Sequence, residues 1–399
     1  MTAPTPGDPP RSLGRIELLL GGLTALGPLS IDLYLPALPA IAEDFRVDTA
    51  AVELSLSSFF AGFAVGQLVA GPLVDRLGRV RPLQLALAVY VLASLGCALA
   101  PTNELLIACR AVQALGGSMA VVVPRAIIRD LRSGKEAVHM LSRLMLVMGV
   151  APIIAPLLGG WILHALGWRA IFVVLAGFGA LAMLASSLSL RTDTAPPRQG
   201  PLRLGAQVLA LVREPDFRIY ALCGGFSSAG MFAYISGSAF VFIEVHRVPS
   251  ERYGWFFGAI ALGLIAASQL NRLLVGRFTS EQVLRATTPF ASLAALTVLA
   301  VAMTGLGGLW GIAGALFVYI STLGVLAPNT TAMALEHHGQ RAGLASAVLG
   351  SLQFVIAATA SGVVSALHDG TAVPMAAVIA GAACLSWLCF ALRRRPARP

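Results

Sequence analysis

A single lysine, Lys135, is all that this chain of 399 residues carries, and charge of either sign is scarce at 12% of the composition. A soluble domain carries about 25% charged residues, so a soluble globule is excluded. The five cysteines, Cys97, Cys109, Cys223, Cys384 and Cys389, all lie inside apolar runs without metal-ligand spacing. That excludes a disulfide framework and a zinc site, and they read as small packing residues. No Walker A sequence is present, because Glu136 stands after Gly134-Lys135 where Ser or Thr is required. The six histidines are scattered, and only His337 and His338 adjoin, with Glu336 the one acid beside them. No catalytic cluster, resident metal or cofactor is expected from that pattern, and the chain does not read as an enzyme.

What is abundant is apolar length. Hydrophobic residues make up 57%, mean hydropathy is +0.80, and Gly (41) and Pro (23) are plentiful. Glycine and proline in that number suit close packing and kinks between membrane helices. Twelve runs are long enough to span, each needing about 20 residues. They fall at 17–40, 52–74, 82–100, 104–126, 138–163, 168–190, 217–244, 252–274, 283–303, 308–333, 342–366 and 371–392. The fold class expected is an all-α polytopic membrane protein.

The net charge of +9 is not a nucleic-acid stripe, because the cations fall in short gaps between apolar runs. With the N-terminus placed in the cytoplasm, 23 of the 28 Lys and Arg fall on the inner side. Only Arg46, Arg169, Arg247 and Arg252 fall on the outer side, and Arg110 lies within a span. This asymmetry predicts both termini inside. The longest break, 191–216, holds four prolines and four arginines and divides the chain into a six-span half (1–190), a cytoplasmic linker and a second half (217–399). Two halves facing across a central cavity is the arrangement of repeat-built carriers.

Asp32 sits well inside the first run, followed by Tyr34, Pro36 and Pro39. A carboxylate near the bilayer centre costs roughly 2.5–3.5 kcal/mol, so it reads as functional, and the prolines bend the helix around it. Ala40-Ile41-Ala42 resembles a cleavage site, but the length of the run and its Asp32 predict a retained span. Arg110, Gln113 and Gly117 follow at i, i+3, i+7 and share a face of the fourth run. An arginine there faces protein or a wet cavity, unless it snorkels to the interface near Glu104. In the fifth run Pro152 and Pro156 bend one face while Gly159 and Gly160 admit a neighbour.

The gap after the second run reads Gly71-Pro72-Leu73-Val74-Asp75-Arg76-Leu77-Gly78-Arg79, a tight turn with a capping acid and basic residues. It resembles the loop 2–3 signature of the major facilitator superfamily, although Val80 stands where a further basic residue is usual. That resemblance implies a major facilitator fold, with Asp75, Arg76 and Arg79 latching the halves and Asp130, at the end of the fourth helix, as acidic partner. The Arg110 group is similar to the superfamily's fourth-span pattern tied to proton coupling. The 149–160 segment resembles its antiporter signature, with Ala155 in place of the first glycine. Two stretches, 26–39 and 226–244, resemble the bicyclomycin-resistance (Bcr/CflA) family, which implies drug–proton antiport in a bacterial inner membrane.

The expected function is thus proton-coupled export of bicyclomycin-, phenicol- or sulfonamide-like molecules by alternating access. Its partners are the drug, protons and the lipid bilayer, with no nucleic acid and a monomer as the default. Asp32, Arg110 and Glu17 are the expected proton-coupling residues, and an Arg110 placed near Asp32 would ease the release of its proton. Tyr34, Gln113, Phe232, Tyr234, Asn329 and Gln353 are the candidate cavity lining, although packing or inter-helix hydrogen bonds would also explain them. Glu244 reads as a span-end residue facing water. Export of an endogenous metabolite, or import by the same fold, is the alternative.

Overall fold

The computed structural model describes residues 11–131, 134–190, 204–336 and 342–393, and the side chains of Asp75 and Asp130 lie outside the described residues. His337 and His338 lie outside them as well. Among the described residues there are twelve helical segments long and apolar enough to cross a membrane. The first is in two pieces, α1 (Arg11–Asp32) and α2 (Leu38–Phe45), joined by a 3-10 turn at Leu35–Ala37. Then come α3 (Thr49–Leu77), α4 (Val80–Ala98), α5 (Asn103–Leu131), α6 (Gly134–Leu166) and α7 (Trp168–Ser189). A short helix, α8 (Leu204–Arg213), precedes α9 (Pro215–Ala239), which runs into a π-turn at Phe240–Val245. The last five are α10 (Ser250–Leu274), α11 (Ser280–Thr304), α12 (Gly308–Leu335), α13 (Ala342–Ala366) and α14 (Val373–Ala391).

Pairing follows two blocks. Helices α1, α3, α4, α5 and α7 pack mainly among themselves, as do α9, α11, α12 and α14. Two pairs join the blocks, α3 against α13 and α6 against α10. Lipid-facing residues such as Leu85, Leu92, Leu181, Leu188, Leu273 and Trp310 are exposed, whereas the inter-helix faces are buried. In hydrocarbon every backbone group needs an internal partner, which is why the spans are helical.

The break in the first span has a direct cause. Pro36 and Pro39 have no N–H to give to the carbonyls of Asp32 and Leu35, so the α-ladder stops at Asp32. Leu33 N–H still reaches Leu29 O at 3.2 Å, and Ala37 N–H takes Tyr34 O at 3.0 Å, which carries the chain round the turn. The span continues to Phe45, five residues past the end expected at residue 40, because α2 resumes the helix beyond the prolines.

The turn expected from Gly71 onward begins only at Gly78. Gly71 lies inside α3, where a Cβ would meet nothing within 4 Å, so its lack of a side chain is not required. Gly78, at φ +85°, ends the helix in a conformation that other residues rarely adopt. Arg79 Nη1 then donates to Val74 O at 3.1 Å, covering a carbonyl of the last turn. Arg76 is exposed.

Candidate functional site

Asp32 is the last residue of α1 and is 4% exposed. The C-terminal end of a helix carries partial negative charge, so an anion there is disfavoured and a cation favoured. Among the described residues no cation pairs with its carboxyl. The groups within its electrostatic reach are Tyr234 and Tyr253, both from the other half. Tyr253 shares a hydrogen bond with Ser238 at 2.7 Å, whereas the buried Tyr234 hydroxyl has no partner. Asp32 therefore stands at the seam between the halves.

Arg110 points elsewhere. Its guanidinium lies 4.3 Å from the ring centre of Phe59, 4.8 Å from that of Tyr34 and 5.8 Å from that of Phe172, an aromatic cage inside the first half. Nη1 donates to Gln113 Oε1 at 2.6 Å, Gln113 Nε2 donates to Ser94 Oγ at 2.7 Å, and Ser94 donates to Tyr90 O at 2.7 Å. Snorkelling is ruled out, since Arg110 is 0% exposed. Arg110 is not placed to bias Asp32, since the groups acting on it are Cys97, Tyr34 and Tyr90. Positions 32 and 34 are two residues apart on or just past one helix and face roughly opposite ways, so the residue beside Arg110 is Tyr34. Its Nε and Nη2 are buried without a partner. Gln113→Ala would orphan Nη1 too, at about 1–3 kcal/mol. We expect a lower thermal midpoint in detergent, read by intrinsic fluorescence, and a smaller loss in Gln113→Asn.

Glu17 is not brought to this site. Fifteen residues of helix separate it from Asp32, about 22 Å at 1.5 Å each. It lines a small cavity with Leu20, Gly21, Ile128, Met140, Leu144 and Val147.

The fifth-span residues sit at the crossing of the two halves. Gly159 lies against the Leu33 carbonyl of the broken segment, and a Cβ at Gly160 would come within 2.8 Å of Ser250 O on α10. Pro152 and Pro156 are accommodated within a continuous α6. Opposite, a Cβ at Gly254 would stand 2.7 Å from Leu157 N. The α6–α10 seam is therefore closed backbone to backbone at the end of the bundle carrying loops 46–48, 246–249 and 367–372.

Of the expected cavity residues, Tyr34 is fully buried and shares a hydrogen bond with Ser55 at 2.8 Å, and Gln113 is held as above. Asn329 donates to Asn271 Oδ1 at 2.6 Å, joining α12 to α10, and Gln353 is half-buried near Gly224. Tyr234 stacks on Phe257 at 5.3 Å. Phe232 belongs to a cluster that crosses the halves, 4.7 Å from Phe60 and 5.4 Å from Phe354, with Phe63 4.5 Å from Phe354. Phe59, Phe60 and Phe63 gave no signal in sequence, since aromatics in spans are ordinarily packing residues.

Glu53 is a different omission. It is 1% exposed in the second span, with Oε2 lacking any partner. The reasoning that singled out Asp32, a charge within an apolar run, applies to it equally.

The sequence profile described as Major Facilitator Superfamily matches residues 20–362. The chain belongs to the Major Facilitator Superfamily. An uncharacterized MFS-type transporter, YdgK, of Bacillus subtilis is 36% identical over 94% of both chains. A bicyclomycin resistance protein homolog of Haemophilus influenzae is 32% identical, again over 94% of both. A chloramphenicol resistance protein of Pseudomonas aeruginosa is 30% identical over 69% of this chain and 65% of its own. Two of these three relatives are named for drug resistance. Among solved structures, the xylose transporter XylE of E. coli, partially occluded and inward open, superposes with a TM-score of 0.72 at 11% identity, over 96% of this chain and 97% of its own. A bacterial homolog of the lysosomal transporter Spinster gives 0.71 at 17%, over 96% of each. Both show the major facilitator fold.

Proposed function

We propose that this multi-pass membrane protein is a proton-coupled drug exporter of the bacterial inner membrane, with both termini cytoplasmic. The observation that carries the reading is the buried carboxyl of Asp32, with no cation paired to it among the described residues, at a helix break and at the seam of the two halves. A carrier needs one group that can take and give a proton where both halves meet, and discontinuous helices supply such sites in transporters. On this orientation the closed end described above is the outer one. Drug and proton exchange at Asp32, and the halves rock about it. The drug-resistance relatives support bicyclomycin-, phenicol- or sulfonamide-like cargo, and the cluster of Phe60, Phe232 and Phe354 supports an apolar or aromatic one. Asp75, Arg76, Arg79 and Asp130 are proposed to latch the inner ends, and Arg110 to set the field around the first half.

The test uses purified protein in liposomes with a trapped pH dye and an imposed proton gradient. Adding bicyclomycin, a phenicol or a sulfonamide should release protons inward in the wild type and not in Asp32→Asn. Equal flux in both would move the proton site away from Asp32.

A further inference from the structure

An acidic pair sits at the closed end, and it spans the two halves. Glu244, in the π-turn after α9, accepts a hydrogen bond from Thr49 Oγ1 at 2.6 Å, across the seam to the first turn of α3. Thr49 and Glu53 are i, i+4 on that helix and share a face, so Glu53 lies one turn deeper beneath the same contact. Glu53 and Glu244 act on each other electrostatically. Glu53 Oε2 is buried and points at no donor.

Among the described residues no positive charge neutralises the pair. On α2, Glu43 and Asp44 are exposed, and Asp44 is taken by Arg169 at 2.6 Å and by Trp168. The cations of the nearby loops, Arg46, Arg247 and Arg252, are exposed to solvent, and none is bonded to either glutamate. On α5, Asn103 donates to Ala51 O, Glu104 is exposed, and Arg110 is enclosed by its rings one layer further in. On α10, Glu251 is bound to His164 at 3.0 Å, and Tyr253 to Ser238. On the α13 side, Ser365 donates to Ala50 O at 2.5 Å and His368 lies edge-on to Phe240. His246, two residues beyond Glu244, is partly buried.

We propose that Glu53 and Glu244 form a second proton-binding site, at which one bound proton holds the outer end closed. Two carboxylates that feel one another repel, and a proton on either one removes the repulsion. The proton enters from the outer water through Glu244, which is partly exposed, and leaves by the same route. Loss of it pushes α3 and the π-turn apart and favours opening. The site adds to the Asp32 reading a gate that closes when protons are plentiful outside, the direction an exporter driven by proton entry requires.

The experiment places Ser361→Cys in a variant without the five native cysteines. Ser361 is fully buried at the seam beside Ser57, so an impermeant maleimide added outside reaches it only when that end opens. In wild type, labelling should speed up about tenfold or more, 1.4 kcal/mol in gate equilibrium, from acidic to alkaline outside pH. Glu53→Gln, a neutral mimic, should label slowly at every pH, and Glu244→Gln should do the same if the first variant folds poorly. A wild-type pH response in both variants overturns the proposal, as does a gate that answers to sodium at fixed pH. Asp32→Asn separates the two readings: it should keep the pH response while losing drug-dependent flux. A flux-competent Asp32→Asn would defeat the Asp32 reading and leave this one standing.

Discussion

Asp32→Asn is expected to abolish uphill drug export while leaving drug binding intact. The substitution keeps the shape of the side chain and removes the group that exchanges a proton. A potential of 100 mV contributes about 2.3 kcal/mol per proton, and one pH unit about 1.4. Together they sustain a gradient of several hundredfold for a neutral drug, so the outside-to-inside ratio should fall from that value to one. For a monocationic drug exchanged against one proton the electrical part cancels, and only the pH part is at stake. Proteoliposomes with an imposed gradient measure the ratio, and tryptophan quenching measures binding. Folding should survive, since among the described residues no cation depends on this carboxyl and an amide is cheaper to bury than a charge. Uphill export by the variant would refute the role of Asp32.

Gly254→Leu carries the second large effect. Any Cβ at this position meets Leu157 N at 2.7 Å and Leu157 Cα at 2.8 Å, and backbone atoms cannot swing aside. The seam between α6 and α10 must therefore part. Overpacking of this kind costs about 1–3 kcal/mol, which is a five- to 150-fold shift against the closed state. Export should fall accordingly, and the cysteine at position 361 should become reactive from outside at all pH values. Gly177→Ala, in α7 with nothing within 4 Å of the added Cβ, is the control and should transport normally. A Gly254→Leu protein that exports at the normal rate would show that this contact is not made during the cycle.

Much of this fold was legible in the chain because lipid imposes a simple requirement. Twelve apolar runs, short basic gaps and a helix-breaking Tyr34–Pro39 segment all answer to backbone hydrogen bonding in hydrocarbon, and they appear where the runs indicate. What was not legible is direction. Asp32 and Arg110 were both recognised as charges out of place, yet nothing in their spacing along the chain says that one faces the other half and the other faces an aromatic cage. Glu244 was read as a water-facing span end, whereas it reaches Thr49 across 195 positions of sequence. Such contacts depend on how two six-helix units meet, and no local pattern encodes them. Gly71 shows the reverse error, a turn inferred from residue type in a helix that had no need to stop until Gly78.

The rings at the centre of the seam act mechanically as well as chemically. Phe60, Phe63, Phe232 and Phe354 touch across the halves through dispersion alone, which has little directional preference. Such a contact behaves as a bearing, with surfaces that slide and tilt at nearly constant energy. Among the described residues the directional bonds between the halves lie at or toward the closed end, Ser57 to Ser361, Ser365 to Ala50, Thr49 to Glu244 and His164 to Glu251. They act as the stops of the stroke: the bearing sets how easily the halves roll, and these few bonds set how far.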